Sequence, residues 1–376
     1  MEKEKSSTAS GYPVDLDTLL TTTNEKGGSD LHLTAGSPPT ARIHGSLVEL
    51  DCPALLPDDV EALLRQVLQP FQEKKLQENW ELDFSYAIAG TARFRGNAMY
   101  QRGSLAAVLR VVPYDVPELD KLGLPKTINK LCFLSRGLVL VTGPTGSGKS
   151  TTLAAMINLI NRERRESIVT VEDPIEFLHK HNQSTVRQRE VGIDTYSFAA
   201  ALRHVLRQDP DVILIGEMRD LESISIALTA AETGHLVFST LHTQTAPLTI
   251  SRIVDVFQDH SRAQIRQQLA NTLQGVISQQ LLPVVDGQGR AASIELMLNT
   301  PAVRNMIREG KEHQLYSVIQ TSQKQGMQTM DMSLAALFNQ GKISRETALE
   351  SCIDKTELER LMQVHGMAAN PWKMGE

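Results

Sequence analysis

Three features of the sequence predict an α/β protein with two domains. Short apolar segments typical of strands alternate with segments of helical spacing along most of the 376 residues. A stretch punctuated by prolines divides the chain into two parts that both show this alternation. One apolar segment in the second part ends in a glycine-rich turn that leads into a helix, as in phosphate-binding α/β proteins. A chain of this length can bury two hydrophobic cores.

The composition is that of an ordinary globular protein. Hydrophobic residues make up 41% and charged residues 22%, and the net charge of −6 gives no positive field for nucleic acid. We therefore expect no nucleic-acid partner. The three cysteines are far apart and form no Cys-x-x-Cys pair, which argues against a zinc site and favours a reducing compartment. Because no signal peptide or membrane-spanning apolar run is present, we expect a cytoplasmic protein without direct membrane insertion.

The first part of the chain is predicted to be a compact α/β domain over residues 12–112, after a polar, disordered tail at 1–11. It contains no phosphate loop, so it is not a second nucleotide-binding motor. Prolines at 113, 117 and 125 mark residues 113–126 as the linker. The expected elements are a helix at 15–22, strands at 30–34 and 41–50, a helix at 58–68, and short strands over 82–112.

The second part is predicted to contain a mostly parallel sheet covered by helices, because apolar strands alternate with helical segments. Its boundaries are a core at 127–298, a helical region at 299–368 and a tail at 369–376. The strand pattern fades after residue 260. The expected strands are 138–141, 167–171, 212–215 and 236–240, and the expected later helices are 261–282, 301–310 and 327–365.

The turn after the strand at 138–141 fits the pattern G-x-x-x-x-G-K-[ST] in full. Its glycines let successive backbone N–H groups point at phosphate oxygens, and the following helix presents its positive end to the same anion. Lys149 is placed to reach the β- and γ-phosphates, and Ser150 to bind Mg²⁺. These residues predict a nucleoside triphosphate site: Gly143, Pro144, Thr145, Gly146, Ser147, Gly148, Lys149, Ser150 and Thr151.

A triphosphate site also needs acids to hold the metal and to orient water. Glu217 follows a buried strand and Gly216, at the position where a carboxylate that organises the metal is expected in such sheets. It is predicted to bind Mg²⁺ partly through water, although Asp is the more usual residue there. The alternative is an ion pair with Arg219 or Arg203.

A second acidic stretch, Val-Glu-Asp-Pro-Ile-Glu, follows the strand at 167–171. We predict that Glu176 activates the attacking water. Glu172 and Asp173 are alternatively caps of a helix after Pro174.

Two histidines, His235 and His242, flank the strand at 236–240. Their odd separation places them on opposite faces of a continuous strand, so they should not share a metal ion. His242 lies at the strand end that faces ligands in such sheets and is predicted to sense the γ-phosphate. For both histidines, a surface role is the alternative.

Arginines on the strands of the first domain are candidates to reach a neighbouring subunit's nucleotide, and a solvated basic face is the alternative. The candidates are Arg93, Arg95, Arg102 and Arg110.

Together these motifs resemble the secretion-type hexameric ATPases, and within them the type IV pilus retraction subgroup. The resemblance covers residues 13 to about 353. It rests on Gly-Gly-Ser-Asp-Leu-His-Leu-Thr-Ala-Gly at 27–36, the phosphate loop, the acidic stretch at 171–177, Ile-Gly-Glu-Met-Arg-Asp at 215–220 and the histidine stretch at 233–243. The segment Ala-Val-Arg-Asn-Met-Ile-Arg-Glu at 302–309 resembles the subgroup's helical motif, with Val303 and Met306 as apolar departures that leave the helix face intact.

The resemblance implies a PAS-like N-terminal domain, a RecA-like ATPase core and a helical tail in a homohexameric ring, with ATP and Mg²⁺ at the junction of the two domains. It implies that Glu176 is the catalytic carboxylate, Glu217 the Walker B acid, and His235 and His242 the histidines of the active site. Arg95 and Arg110 would be the nucleotide-contacting arginines. The ring would work with the pilus machinery on the inner-membrane platform protein, peripheral to that membrane at the pilus base.

Three alternative functions are weighed against pilus retraction. The paralogous accessory retraction ATPase is the nearest, and the motif at 302–309 favours the main one. A RecA-type nucleic-acid motor is disfavoured by the acidic net charge. A switch that scarcely hydrolyses is disfavoured by the presence of Lys149, Glu176 and Glu217.

Overall fold

The computed structural model describes residues 12–112, 116–287 and 289–368, and the chain divides into two compact units after Asp115. The predicted tails at 1–11 and 369–376 lie outside the described residues, as do 113–115 of the predicted linker. The rest of that linker belongs to the second unit. Its residues 119–122 form a short 3-10 turn, and Leu119 is buried with the core of that unit.

The first unit consists of one sheet and its helices, and the predicted α/β character of residues 12–112 agrees with it. Its elements are α1 (Leu16–Glu25), β1 (Gly28–Thr34), β2 (Thr40–Ile43), β3 (Ser46–Glu49), α2 (Pro57–Arg65), α3 (Pro70–Asn79), β4 (Glu81–Ile88), β5 (Ala92–Gln101) and β6 (Ser104–Val112). The helix α3 was not predicted, because its sequence is mostly polar and lacks a clear apolar face.

The sheet of the first unit is antiparallel, with strand order β3-β2-β1-β6-β5-β4. Alternate residues of its strands enter one core, as Leu31 and Leu33 do on β1 and Phe94 does on β5. The helix α1 begins at Asp15, whose carboxylate accepts the Thr18 N–H at 2.8 Å. This core contains only residues of the first unit.

The second unit is built on a seven-stranded sheet with helices packed against it. Its first elements are α4 (Thr127–Leu131), β7 (Gly137–Thr142), α5 (Lys149–Glu163), β8 (Ser167–Glu172), β9 (Thr185–Glu190), α6 (Phe198–Val205), β10 (Val212–Ile215), α7 (Leu221–Glu232), β11 (Leu236–Leu241) and α8 (Ala246–Asp255). The next are α9 (Asp259–Thr272), β12 (Leu273–Pro283), β13 (Arg290–Leu298), α10 (Pro301–Glu309), α11 (Leu315–Thr321), α12 (Met330–Asn339), α13 (Arg345–Ser351) and α14 (Lys355–Ala368).

The strand order is β13-β12-β7-β11-β10-β8-β9, and each neighbouring pair is parallel except β12 with β13. Every residue of β7, β10 and β11 is buried, as expected for a parallel sheet covered on both faces. The loops after β7, β8, β10 and β11 therefore leave the same edge of the sheet, where ligands bind in open α/β sheets.

The prediction of a helix over 261–282 is wrong beyond residue 272. Residues 273–283 form β12, which lies against the central strand β7, and the unpredicted β13 pairs with it. The segment 273–283 contains several residues that favour helices, and its pairing with β7 overrides that preference. The predicted helices at 301–310 and within 327–365 are confirmed as α10 and as α12 to α14.

Candidate nucleotide-binding site

The phosphate loop connects β7 to α5, as predicted. Gly143 has φ 138°, and a Cβ placed there would lie 2.2 Å from the carbonyl oxygen of Gln279, so a side chain would not fit. Gly148 has φ 87° and precedes α5, whose first turn has no side-chain cap. The free N–H groups and positive end of α5 are therefore available to an anion at this position.

Lys149 lies inside this loop. Its Nζ donates to the carbonyl oxygens of Gly143, at 2.8 Å, and Pro144, at 3.0 Å. Burial lowers the pKa of Lys149, and the negative charges of Glu217 and Glu176 oppose that shift. The structure thus brings the three predicted charged residues into one electrostatic environment.

Glu217 follows β10 through Gly216, at the same sheet edge as the phosphate loop. Its Oε2 accepts the Arg219 Nε–H at 2.8 Å, and its Oε1 lies 3.2 Å from Nε2 of His242. The alternative pairing with Arg219 is therefore present, and the carboxylate still faces His242. Arg203 pairs with Glu222 instead.

Glu176 is exposed on the segment that follows β8. Residues 174–184 form bends and loop rather than a helix, so the alternative that Glu172 and Asp173 cap a helix here is wrong. The Glu172 carboxylate instead accepts the Thr170 hydroxyl, at 2.6 Å, and the Gln188 amide, at 3.2 Å. Glu176 itself remains free to extend from the loop.

The two histidines occupy opposite ends of β11. His242 follows its carboxyl end beside Glu217. His235 precedes its amino end, where the His235 carbonyl accepts the Gly137 N–H at 3.0 Å and Nδ1 lies 3.0 Å from the Ala230 carbonyl. Six strand residues at about 3.3 Å each separate the two ends by roughly 20 Å. Within the subunit His235 contacts the end of α7, and its role in catalysis stays a prediction.

Arg95 and Arg110 are paired directly across β5 and β6 in the first unit. Arg110 donates from Nε to Asp30 at 2.8 Å, and both arginine side chains are exposed. The pair is thus a basic patch on a sheet face, and its contact with nucleotide stays a prediction.

Two residues of β12, Ser278 and Gln279, also contact the site, and the sequence analysis did not predict them. The Gln279 amide donates to the Ser147 carbonyl at 2.5 Å, and its oxygen accepts the Thr152 hydroxyl at 2.9 Å. On the preceding residue, the Ser278 hydroxyl accepts that of Thr142 at 2.8 Å. Because the sequence predicts a helix over 261–282, it does not point to these contacts. A cavity of about 330 Å³ opens beside the loop, lined in part by residues 144–147 and 350–353.

Known proteins share both the sequence and this architecture. The family described as "Type II/IV secretion system protein" matches residues 16–350, and the chain belongs to that family. The chain is 50% identical to the type IV pilus retractation ATPase PilT of Pseudomonas aeruginosa, over 90% of this chain and 98% of that protein. It is 41% identical to the type IV pilus ATPase PilU of the same bacterium, over 93% and 92% respectively.

A crystal structure of the pilus retraction motor PilT with bound ADP has a TM-score of 0.87 and 51% identity, covering 92% of this chain and 99% of that one. The predicted fold class, α/β with a PAS-like N-terminal unit and a RecA-like ATPase unit, is confirmed by this match. Among the residues the structure describes, no helix is both long and apolar enough to cross a membrane.

Proposed function

We propose that this chain is an ATPase that powers the retraction of type IV pili, and hence twitching motility. The observation that carries the proposal is Lys149 held inside a complete phosphate loop within the electrostatic reach of two acids. The relatives named as pilus retraction ATPases over nearly their full length supply the biological setting.

The residues present have the chemistry that ATP and Mg²⁺ require. Lys149 and the N–H groups of residues 146–151 would bind the β- and γ-phosphates. Ser150, in the first turn of α5, and Glu217 would hold Mg²⁺, whose preferred ligands are oxygens. Mg²⁺ commonly keeps several water ligands and binds through one or two protein oxygens together with the substrate phosphates. Mg²⁺ would neutralise the charge that develops on the phosphates.

The other predicted residues would have separate roles in ATP hydrolysis. Glu176 extends from its loop and would accept the proton of the attacking water. Glu217 and His242 contact one another beside Lys149, so a change at the γ-phosphate would be felt at the carboxyl end of β11. The cavity of about 330 Å³ beside the loop offers space next to the phosphates.

The working form would be a homohexameric ring at the cytoplasmic side of the pilus base. In such a ring Arg95 and Arg110 would approach a neighbouring subunit's nucleotide. The ring would act on the inner-membrane platform protein. Counting pili on cells in which the gene is deleted distinguishes a role in retraction from one in assembly. Excess pili without twitching would support retraction, and absent pili would support assembly.

Two relatives favour the main retraction ATPase over the accessory one. The chain is 50% identical to PilT and 41% identical to PilU of the same bacterium. The RecA-type nucleic-acid motor remains disfavoured by the net charge of −6. Stimulation of hydrolysis by single-stranded DNA would support that alternative.

The decisive test compares Lys149→Ala with Glu176→Ala. The first should abolish ATP binding measured by calorimetry, because the phosphates lose their main cation. The second should retain binding and lose turnover by about 100-fold or more, as expected when a catalytic base is removed. Lys130→Ala, on α4, is the control and should retain both. A well-folded wild-type protein that neither binds nor hydrolyses ATP would overturn the proposal.

A further inference from the structure

Four polar side chains on one face of β8 and β9 form a cluster beside the loop that carries Glu176, and three of them contact the loop backbone directly. Thr170 lies opposite Gln188, and Glu172 opposite Glu190, in the parallel register of the two strands. Because side chains alternate along a strand, these four residues share one face of the sheet. We call Thr170, Glu172, Gln188 and Glu190 the β8–β9 clamp.

The clamp holds the backbone on both sides of Glu176. The Ile175 N–H donates to Oε2 of Glu190 at 3.2 Å, and the Glu176 N–H donates to the carboxylate of Glu172. On the other side, Gln188 donates from Nε2 to the Phe177 carbonyl at 2.9 Å, and its Oε1 accepts the His179 N–H at 2.8 Å. Four backbone groups within five residues are therefore fixed by three side chains.

Gln188 is the centre of this arrangement. Its amide donates to Phe177 and to Glu172, at 3.2 Å, while its oxygen accepts from His179. A glutamine amide is a side chain that offers a donor and an acceptor together, as this position requires. Burial raises the pKa of Glu172 to about 7, with its hydrogen bonds to Thr170, Gln188 and the Glu176 N–H opposing the rise.

We propose that Gln188, acting with Glu172, is a positioning residue that sets the place of the Glu176 carboxylate for hydrolysis. The inference rests on the proposed ATPase function and on Glu176 as the base. A loop shift of about 1 Å at a catalytic group can cost about 100-fold in rate. ATP binding depends on the phosphate loop, which the clamp does not contact in the bonds described above.

The test variant is Gln188→Glu, which keeps the size of the side chain. It still accepts the His179 N–H, but it loses both donated bonds and places a second carboxylate beside Glu172. At pH 8.5 we expect kcat to fall about 10- to 100-fold. The KM for ATP should stay within about two-fold of wild type, because the contacts that bind ATP in the ground state are unchanged.

The pH dependence distinguishes positioning from loss of structure. Two adjacent carboxyls bind a shared proton more readily than one alone, and the resulting O–H restores a donor. The titratable groups around this position are Glu172 on β8, Glu190 on β9, and Glu176 and His179 on the loop. Gly216, which lies against the backbone of Glu172, adds none. The ratio of variant to wild-type kcat should therefore rise as the pH falls from 8.5 to 6.

Gln183→Glu is the matched control. Gln183 lies in the same loop and donates to the Arg162 carbonyl, away from Glu176, so its kcat and pH profile should match wild type. Thr170→Val is a second variant of the clamp in case Gln188→Glu unfolds. It removes one bond to Glu172 without changing size and should lower kcat with KM unchanged.

Equal kcat for wild type and both clamp variants would overturn the proposal. So would a loss in Gln188→Glu that does not vary with pH and matches a fall in melting temperature. An inactive wild-type protein would instead contradict the ATPase function itself, so the two failures are distinguishable.

Discussion

Single residues outside the phosphate motif determine how that motif is held. Gln279 lies on β12, yet its amide contacts both the loop, at Ser147, and the first turns of α5, at Thr152. A buried amide with both ends bonded fixes the two segments relative to each other. The loop geometry is thus set partly by a residue more than a hundred positions away in the sequence.

Replacing Gln279 with alanine should weaken nucleotide binding. The change leaves the Ser147 carbonyl and the Thr152 hydroxyl without their bonds, at a cost of about 1–3 kcal/mol. We expect a raised Kd for ATP in calorimetry and a lower melting temperature. Thr152→Val removes one of the bonds and should give a smaller loss. Gln267→Ala, an exposed change on α9, is the control, and an unchanged Kd for Gln279→Ala would contradict the role.

Glu295 provides a residue-scale prediction for stability. Its carboxylate is fully buried and accepts the Ala246 N–H at 2.7 Å. Burial raises its pKa to about 7, above the ordinary value of 4.5, and Asp331 adds to the rise. Its contribution to stability is therefore fully present below about pH 4.5 and is lost as the pH rises through 7.

Glu295→Gln removes this ionisation. The melting temperature of the variant minus that of wild type should increase between pH 5.5 and pH 8.5. One pKa unit corresponds to about 1.4 kcal/mol, and about one and a half units lie between pH 5.5 and the raised pKa, so the difference in the free energy of unfolding should change by about 2 kcal/mol. Glu49→Gln, on the exposed strand β3, should show no such trend. A constant difference across this pH range would mean that Glu295 does not titrate there.

At the scale of elements, α10 has one buried face and one exposed face. Thr300 caps it, Val303 and Ile307 are fully buried, and Asn305, Arg308 and Glu309 are exposed. The apolar departure Val303 therefore lies on the packed face, and Met306 packs partly against the same core. The prediction that these departures leave the helix face intact is confirmed.

Substitutions on the two faces of α10 should have different effects. Arg308→Glu changes only the exposed face, so we expect wild-type ATPase activity and loss of pilus retraction. Ile307→Ala should instead lower the free energy of unfolding by about 2–5 kcal/mol, through loss of buried side-chain contacts. Twitching, ATP hydrolysis and thermal unfolding are the measurements. Parallel loss of activity and retraction in Arg308→Glu would show that the helix has only a structural role.

The strands that the sequence predicts differ physically from those that it does not predict. Central strands such as β7 and β10 were predicted because they are short and wholly apolar. The edge strand β9, with polar residues on both faces, and β12, with paired glutamines, lack that pattern. Both form because a neighbouring strand, β8 for β9 and β7 for β12, has backbone N–H and C=O groups available for pairing.

At the scale of the whole molecule, the two units have separate hydrophobic cores. Leu109 lies in the core of the first unit, and Ile253 in a core of the second. Among the described residues, all strands of each sheet come from the same unit. We therefore expect the units to unfold as separate cooperative transitions.

Leu109→Ala should destabilise only the first unit, by about 2–5 kcal/mol, because it leaves a cavity in that core alone. Ile253→Ala should act in the same way on the second unit. Differential scanning calorimetry of the full chain assigns the transitions, since each variant should lower the midpoint of only one of them. A single transition shifted equally by both changes would contradict independent cores.

The sequence by itself determined the phosphate loop, the acids that follow two strands, and the division into an acidic, two-part α/β chain. These features depend on neighbours in sequence, since a turn of glycines before a helix or an acid after a strand is local. The tertiary structure decided that His242, and not His235, lies beside Glu217, and that Gln279 and the β8–β9 clamp hold the reacting segments. Those contacts join residues up to 132 positions apart, and only the order and register of the strands bring them together.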